Sequence, residues 1–284
     1  MDYLYYQRII YFMDIVKASG ETELFSEEKL CTSLRRAGAP DDVVHKVCGL
    51  VEQNVHQGTT TEQIAKKAQH YLKRENILFA ARYNLKKGIM ELGPSGFYFE
   101  EYVAAILKEY GYAVKVGKII RGKCLAHEID ILAEKDNKHY IIELKYHNSR
   151  GKKTDVQVAM YTYARLLDIA AAHKEFEDKR HIAWVITNTK FTKNAKIYAS
   201  CMGMELTGWR HPDVGNLETL ITDKSLYPVT VLPSANIFVK EQFAAHNLMF
   251  VRDILVFSDN DLQHTFGFKP ILAKKLLEEA YSLV

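Results

Sequence analysis

The sequence predicts a multidomain protein of mixed α/β and α+β class. A helical domain with a small β-hairpin comes first, a mixed central sheet flanked by helices follows, and a small helical tail ends the chain. Apolar residues recur at helical spacing through most of residues 26–92. Strand-like and helix-like patterns alternate between residues 97 and 206. The segment 93–96, Gly-Pro-Ser-Gly, interrupts both patterns and marks the clearest domain boundary.

The first domain, residues 1–92, is predicted to hold a hairpin followed by four helices. The hairpin covers about residues 14–25 and turns near a glycine. Ser26 is the predicted N-cap of the first helix, and Thr61 is predicted to cap the third. The fourth helix covers about residues 76–92.

The second domain, residues 93–224, shows the element order α-β-β-β-α-β-α-β, which is compatible with a single sheet. The predicted elements are a helix ending at Gly111, a strand over 113–116, two strands flanking 135–138, a helix over 157–167, a strand over 181–187, a helix opening at 191–192 and a strand over 204–206.

Two acids and a lysine converge if the strands on either side of residues 136–137 form a tight hairpin. With Asp-Asn there as a two-residue loop, Asp130 faces Glu143 and Glu128 faces Lys145. Directly opposed side chains lie about 4.5–5.5 Å apart at Cβ. The two-residue period of a strand then puts all four side chains on one face of the sheet.

Converging carboxylates repel one another unless a cation lies between them. A hard divalent cation such as Mg²⁺ or Mn²⁺ fits, because it takes one or two carboxylates and keeps several waters. A nearby lysine can then orient or deprotonate a water, or stabilise charge on a phosphate. An edge hairpin with a cross-strand Glu–Lys pair and a solvated aspartate explains the same residues without any chemistry, so the hairpin alone leaves both interpretations open.

The wider context resembles the PD-(D/E)xK nucleases, and in detail their Mrr-type restriction endonuclease branch, over roughly residues 93–224. The resemblance rests on the Phe-Glu pair at 99–100, on the Asp…Glu-x-Lys hairpin, and on the Thr-Asn-Thr-Lys-Phe-Thr segment at 187–192. It implies a metal-dependent endonuclease that acts on DNA.

The resemblance also implies roles for individual residues. These are Asp130 and Glu143 as metal ligands, Lys145 as the catalytic lysine, Glu100 as an auxiliary acid, and Gln157 at QxxxY spacing with Tyr161. Glu100 could equally be a solvated acid at a helix start, like its neighbour Glu101. Many Mrr members have Gly-Ile-Asp where this chain has Glu128-Ile129-Asp130, so Glu128 either joins the site or pairs with Lys145.

The first domain resembles the ATP-cone of ribonucleotide reductases and of their transcriptional repressor. The matching phrases are Val16-Lys17-x-x-Gly20, Phe25-x-x-x-Lys29-Leu30, Thr60-Thr61-x-x-Ile64 and Ala81-Arg82-Tyr83. This resemblance implies a regulatory site for ATP or dATP, and the lack of a P-loop argues against ATP hydrolysis.

By position, Lys17 and Lys29 would face the phosphates of the nucleotide, while Glu23 and Thr61 would help to hold its ribose and base. Ala18 stands where the family commonly has an arginine, which puts one phosphate contact in doubt. A small helical docking domain with solvated lysines is the alternative interpretation.

The tail, residues 225–284, is predicted to be helical. The turn at 266–268, Phe-Gly-Phe, and the helix after it resemble a helix-hairpin-helix, whose backbone amides would bind a DNA phosphate. A plain helical cap on the sheet domain is an equally good explanation of the same residues.

Composition sets broad limits on the function. A net charge of +3 does not by itself indicate nucleic-acid binding, but basic residues recur near the predicted site, at 115–123, 150–153 and 190–196. The four cysteines show no CxxC spacing and suggest neither zinc nor a disulfide framework. No long apolar run predicts a membrane span. We therefore expect a cytoplasmic, reduced protein.

The prediction is a metal-dependent DNA endonuclease whose oligomeric or active state responds to ATP or dATP, in a restriction or defence role and as a homo-oligomer. A nucleotide-sensing DNA-binding regulator that does not cleave is the first alternative. A nuclease for RNA or structured nucleic acid is the second, and the sequence does not separate it from a DNA nuclease.

Overall fold

The computed structural model describes residues 13–92, 97–149, 151–173 and 180–284. The chain divides into two compact units, Met1–Tyr83 and Asn84–Val284. The predicted boundary segment at 93–96 lies outside the described residues.

In the first unit a two-stranded hairpin precedes four helices. The elements are β1 (Asp14–Val16), β2 (Thr22–Leu24), α1 (Glu27–Arg36), α2 (Asp41–Glu52), α3 (Thr61–Glu75) and α4 (Ile77–Met90), the last of which runs on into the second unit. Apolar residues at helical spacing on α1, α2 and α3 meet in one core, which includes Leu34, Val47 and Leu72. This hairpin-and-helix order agrees with the predicted order.

The cap of α3 lies one residue earlier than the sequence predicts. The Thr60 hydroxyl accepts a hydrogen bond from the Gln63 backbone N–H (3.1 Å), and the Gln63 side chain accepts one from the Thr60 N–H (2.8 Å). This reciprocal pair is a capping box. The assignment of Thr61 as the cap is therefore wrong, because Thr61 is already the first helical residue.

The expectation of no disulfide is also contradicted. Cys31 of α1 and Cys48 of α2 form a disulfide across the core of the first unit, with Cα atoms 5.9 Å apart. Cys124 and Cys201 are free and exposed. The two bonded residues lie on the buried faces of adjacent helices, a proximity that spacing along the chain does not reveal.

The second unit contains a five-stranded mixed sheet, which confirms the predicted mixed central sheet. Its elements are α5 (Phe97–Glu109), β3 (Ala113–Arg121), β4 (Ala126–Lys135), β5 (Lys138–Lys145), β6 (Lys153–Thr154), α6 (Val156–Ala172), β7 (Arg180–Thr187), β8 (Lys190–Phe191), α7 (Lys193–Met202) and β9 (Glu205–Thr207). The strand order is β3-β4-β5-β7-β9. Strands β3, β4 and β5 pair antiparallel, and β5, β7 and β9 pair parallel.

Helices α6 and α7 cover one face of this sheet, and α5 packs against β3 and β4. The core under α6 and α7 joins apolar residues of the strands, such as Ile141 and Val185, to Val158 and Ala195 of the helices. The short strands β6 and β8 form a separate parallel pair beside the sheet.

The hairpin between β4 and β5 has the predicted two-residue loop. Asp136 and Asn137 both adopt positive φ, 50° and 57°, as the central residues of a type I′ turn do. The resulting register pairs Lys135 with Lys138 and continues to Ile131 opposite Ile142.

The tail is helical, as predicted. It contains α9 (Ile237–Ala245), α10 (Asp259–Phe266), α11 (Pro270–Tyr281) and two short 3₁₀ turns at Val229–Val231 and Val251–Val256, and α8 (Leu217–Thr222) precedes it within the predicted second domain. Gly267, with φ of 69°, ends α10 in the left-handed conformation before the chain enters α11. No described helix has the length and apolar character that crossing a membrane requires.

We predict that Thr60→Ala lowers the free energy of unfolding by about 1 kcal/mol, because it removes the side-chain acceptor of the capping box. Thr61→Ala is the matched control and should leave stability nearly unchanged, since alanine is a good helix former at a first helical position. Urea unfolding without nucleotide measures both variants. A larger loss in Thr61→Ala would restore the cap to Thr61.

Candidate active site

The candidate site lies where β4 and β5 separate. Their pairing ends at Ile131 and Ile142, so the predicted cross-strand pairs of Asp130 with Glu143 and of Glu128 with Lys145 are not part of the ladder. Beyond that point β4 pairs only with β3.

The strict alternation of β4 also fails at this point. Ile129 and Leu132 both pack into the core beneath α6, although strict alternation would put residues three apart on opposite faces. On β3, the position opposite Asp130 is Gly117, which has φ of 59° and drops out of the ladder between the pairs of Val116 and Lys118. The strand therefore turns at Asp130, and a glycine at the adjoining position accommodates the turn.

Asp130 is held at this turn by the neighbouring strand. Its carboxylate accepts a hydrogen bond of 2.7 Å from the Leu144 backbone N–H. Burial raises the pKa of Asp130 to about 6, against the lowering effect of that hydrogen bond. The carboxylates of Glu143 and Glu128 raise this pKa further, while the Arg165 guanidinium lowers it.

Glu143 is held by two residues of α6. The Tyr161 hydroxyl donates to one oxygen at 2.6 Å, and the Arg165 guanidinium donates to the other at 2.6 Å. The guanidinium also lies 5.0 Å from the centre of the Tyr161 ring. Only 12% of the Glu143 side chain is exposed. Burial, followed by the hydrogen bond to Glu143, raises the pKa of the Tyr161 hydroxyl well above its ordinary value.

Glu100 of α5 is the fourth member of a cluster that we call the acid group, defined as Glu100, Glu128, Asp130 and Glu143. Burial has the largest effect and raises the pKa of the Glu100 carboxyl. The charges of Asp130, Glu128, Glu101 and Glu143 raise this pKa further, in decreasing order of effect. The predicted acids at 100, 130 and 143 therefore share one electrostatic field, and Glu128 belongs to it as well.

Lys145 ends β5 as an exposed side chain. It lines a cavity of about 340 Å³ together with Glu100, His147 and Lys152. Desolvation of the ring lowers the pKa of His147, and Lys145 and Lys152 lower it further. The cavity is therefore lined by one carboxylate and two lysines.

A buried polar network fixes the backbone that carries Lys145. The Thr187 hydroxyl donates to the Lys145 carbonyl (2.6 Å) and accepts from the Thr154 hydroxyl (3.1 Å). Asn188 exchanges two hydrogen bonds with the His147 backbone, at 2.9 and 2.7 Å. Thr154, Thr187 and Asn188 are all buried. The segment 187–189, which carries part of the resemblance to Mrr enzymes, thus supports the end of β5.

Among the described residues, the predicted Gln157 makes no side-chain hydrogen bond to the acids, and one contributing residue was missed. Gln157 is exposed near the start of α6, where its backbone N–H is capped by Asp155 at 3.0 Å. Arg165 was not predicted. The 157-161-165 spacing puts Gln157, Tyr161 and Arg165 on one face of α6, so the helical period was the available signal.

The four residues predicted to bind nucleotide lie near one another in the first unit. Glu23 accepts from the ammonium groups of Lys17 and Lys29, both at 3.1 Å. These two lysines hold the pKa of the Glu23 carboxyl below its usual range, Lys29 having the larger effect. A bridge between Val16 and Thr60 brings Thr61 beside the same hairpin.

The residues of the sheet unit fit a hard divalent cation. Among the described residues, no group of three His, Cys, Asp or Glu side chains is arranged to hold a metal. Mg²⁺ needs only one or two carboxylates, since water completes its coordination. Asp130 and Glu143 supply two oxygen donors, and the raised pKa of Asp130 includes repulsion that a cation would relieve.

The sheet unit contains a restriction-endonuclease-like domain. Residues 93–209 match the family model described as restriction endonuclease, of the Mrr catalytic type. Residues 227–284 match the model described as AF1548-like, C-terminal. Both segments lie after residue 92, so the ATP-cone assignment stays a prediction.

An uncharacterized protein of Archaeoglobus fulgidus is 36% identical over 184 residues, which cover 64% of this chain and 99% of that protein. The crystal structure of a protein of unknown function, AF1548, matches at 35% identity with a TM-score of 0.53, covering 66% of this chain and 97% of that one. This chain belongs to the AF1548-like family.

A more distant solved structure is that of Can2 from Sulfobacillus thermosulfidooxidans in complex with cyclic tetra-adenylate. It is 13% identical, has a TM-score of 0.30, and covers 66% of this chain and 60% of that one. At this distance it carries no argument about the present chain.

We predict that Asp130→Asn stabilises the metal-free protein above pH 6. Folding raises the pKa of Asp130 from an ordinary 3.8 to about 6. Ionisation of Asp130 therefore lowers the stability of the folded protein as pH rises through that range. The asparagine keeps an acceptor for the Leu144 N–H without the charge. The gain should be about 1–2 kcal/mol at pH 8 after solvent screening, and small at pH 4.5.

Urea unfolding in EDTA at the two pH values measures this difference. Asp259→Asn, which changes an exposed carboxylate of the same unit, is the control. A loss of stability in Asp130→Asn at pH 8, or an equal effect at both pH values, would contradict the electrostatic account of the site.

Proposed function

We propose that this chain is a metal-dependent endonuclease that hydrolyses DNA phosphodiester bonds and is regulated by ATP or dATP bound to the first unit. The observation that carries the proposal is the position of Asp130, Glu143 and Lys145 at the point where β4 and β5 separate. Half-buried acids that repel one another are unfavourable in a purely structural role. Together with a lysine at a strand end they suit phosphodiester hydrolysis.

In this proposal Asp130 and Glu143 hold a Mg²⁺ or Mn²⁺ ion. The bound ion would neutralise charge on the phosphate and lower the pKa of a bound water. The Leu144 N–H and the Tyr161 hydroxyl fix the orientations of the two carboxylates. Lys145 ends β5 two residues after Glu143 and is exposed, and in this proposal its ammonium orients the attacking water or stabilises charge on the phosphate.

Exposed basic residues of the sheet unit support a nucleic-acid substrate. On β3 and in the turn after it, Lys115, Lys118, Arg121 and Lys123 are exposed. Further exposed lysines follow at positions 152, 153, 190, 193 and 196, while Arg150 lies outside the described residues. Phosphate contacts from such groups provide affinity without sequence information.

The β3–β4 turn that carries part of this charge is anchored to α6. The carboxylate of Asp168 accepts from the backbone N–H of Cys124 (2.8 Å) and of Leu125 (3.3 Å), and it lies 2.7 Å from the His127 ring. A Cβ on Gly122 would collide with this carboxylate, so only glycine permits the approach. A fixed basic turn suits a backbone-binding surface.

For the first unit we propose a regulatory site for ATP or dATP. Lys17 and Lys29 converge on one carboxylate, and a nucleotide phosphate between the two ammonium groups would make the same kind of contact. ATP and dATP can act in opposite directions only if each prefers a different state of the protein. A homo-oligomer provides such states.

The second candidate is a nucleotide-sensing DNA-binding protein that does not cleave. Both oxygens of Glu143 already accept hydrogen bonds from Tyr161 and Arg165, which favours a site that is satisfied without metal. That function gives no role to the half-buried Asp130 or to the other acids that act on it, so cleavage is the better proposal.

We predict that Lys145→Ala lowers the rate of plasmid nicking in Mg²⁺ or Mn²⁺ by at least about 100-fold, since it removes the cation beside the reacting phosphate. Lys108→Ala, which removes an exposed lysine of α5, is the matched control. Both proteins should fold normally by circular dichroism. Equal nicking by Lys145→Ala and wild type would remove Lys145 from the site.

If the wild type binds plasmid but never nicks it, with either metal and with or without ATP or dATP, the non-cleaving regulator becomes the better function. A parallel assay with a structured RNA separates the RNA alternative, because a DNA endonuclease should leave that RNA intact.

We predict that Lys17→Ala weakens ATP binding about tenfold or more, as expected for loss of a charge-assisted hydrogen bond to phosphate. Lys66→Ala breaks an exposed ion pair with Glu62 on α3 and is the control. Isothermal titration calorimetry with ATP and dATP measures both variants. Unchanged affinity in Lys17→Ala would exclude Lys17 from the nucleotide site.

A further inference from the structure

Arg165 is an unexpected residue beside a proposed metal ligand. Its guanidinium donates to Glu143 at 2.6 Å and reaches the Glu128 carbonyl at 3.4 Å. It lies over the ring of Tyr161, one helical turn away on α6, and 31% of its side chain is exposed. A cation therefore already contacts one of the two carboxylates that would hold the metal.

The position of this cation agrees with the electrostatics of the acid group. Like charges at close range in a half-buried site disfavour the folded state, and a fixed guanidinium offsets part of that repulsion. Arginine suits the task, because its planar fork keeps its charge at every physiological pH and stacks on an aromatic ring. Here Tyr161 provides both that ring and the second hydrogen bond to Glu143.

The pairing leaves room for a metal ion. Each carboxylate oxygen can accept about two hydrogen bonds, and the structure shows one protein donor on each oxygen of Glu143. A metal ion can therefore reach Glu143 while Arg165 remains nearby. The positive charge of the guanidinium then opposes the approach of a second cation.

We propose that Arg165 is the resident counter-cation of the acid group. It neutralises Glu143 while the metal is absent and competes with the metal for that carboxylate, which sets the metal concentration at which the site loads. This inference rests on the proposed metal-dependent function.

Two consequences are linked by thermodynamics. Removing the guanidinium should destabilise the metal-free protein more than the metal-bound protein, because the metal takes over part of the neutralising charge. By reciprocity, the same removal must then tighten metal binding. If Arg165 only packs against its neighbours, removing it should lower stability equally in the metal-free and metal-bound states. Metal affinity would then stay unchanged.

The test uses the full chain and Mn²⁺ as the probe. Isothermal titration calorimetry should show Mn²⁺ binding about tenfold tighter to Arg165→Gln than to wild type. Arg165→Lys keeps a charge and should stay within about threefold of wild type. Scanning calorimetry should show that Arg165→Gln lowers Tm by about 5 °C in EDTA and by about 2 °C or less at saturating Mn²⁺.

A control variant separates the charge near the acids from the general loss of an ion pair. Arg210→Gln breaks the ion pair of Arg210 with Glu218, which lies in the same unit but outside the acid group. This control should lower Tm equally in EDTA and in Mn²⁺. If Arg165→Gln does not fold in EDTA, folding that is restored by Mn²⁺ supports the proposal.

If Arg165→Gln binds Mn²⁺ no more tightly than wild type, or loses as much Tm in Mn²⁺ as in EDTA, the proposed role of Arg165 is overturned. The metal-dependent function would still stand. Wild-type protein that binds no Mn²⁺ and shows no Tm shift would overturn this role and the metal-dependent function together. The two failures are therefore distinguishable from the wild-type titration.

Discussion

Repulsion among the acids at the opening between β4 and β5 is the constraint on which the rest of the sheet unit depends. Burial raises the pKa of both Asp130 and Glu100, and the charges of the other acids raise it further. Each neighbouring element offsets part of this repulsion. The backbone of β5 donates to Asp130, and α6 donates a hydroxyl and a guanidinium to Glu143.

The sheet makes this arrangement possible because it changes from antiparallel to parallel pairing at β5. Strand β5 keeps its pairing with β7 through Lys145, so its end is fixed on one side even though β4 has left it on the other. Buried Thr187 and Asn188 hold the chain just past that end. The opening is thus bounded by one fully paired strand and one strand that turns away.

Much of the fold could be predicted because its signals are local. The Asp136-Asn137 pair tolerates positive φ and so determined the hairpin register, and apolar periodicity located the helices of both units. The candidate acids were identified from the same register, although the β4–β5 ladder stops just short of them.

The assumption that failed was strict alternation along β4, because a turn at Asp130 opposite a positive-φ glycine is a tertiary feature. Contacts between distant elements could not be predicted from spacing either. The Cys31–Cys48 disulfide depends on how α1 packs against α2, and the Arg165–Glu143 pair depends on how α6 lies on the sheet.

In the first unit, charge again organises the candidate site, but with the signs reversed. Two lysines share one glutamate at a hairpin edge, an arrangement that an anionic ligand can enter by replacing the carboxylate. The sheet unit pairs one arginine with several acids, an arrangement that a cation can enter. In each unit, a side chain with the same sign of charge as the proposed ligand therefore already occupies the candidate site.

The most direct test of the central claim is a crystal structure of the full chain grown with saturating Mn²⁺, using anomalous scattering to locate the ion. We expect an anomalous peak within bonding distance of carboxylate oxygens of both Asp130 and Glu143. A peak bound elsewhere, or none at these two residues, would contradict the claim that the opening between β4 and β5 is a metal-dependent active site.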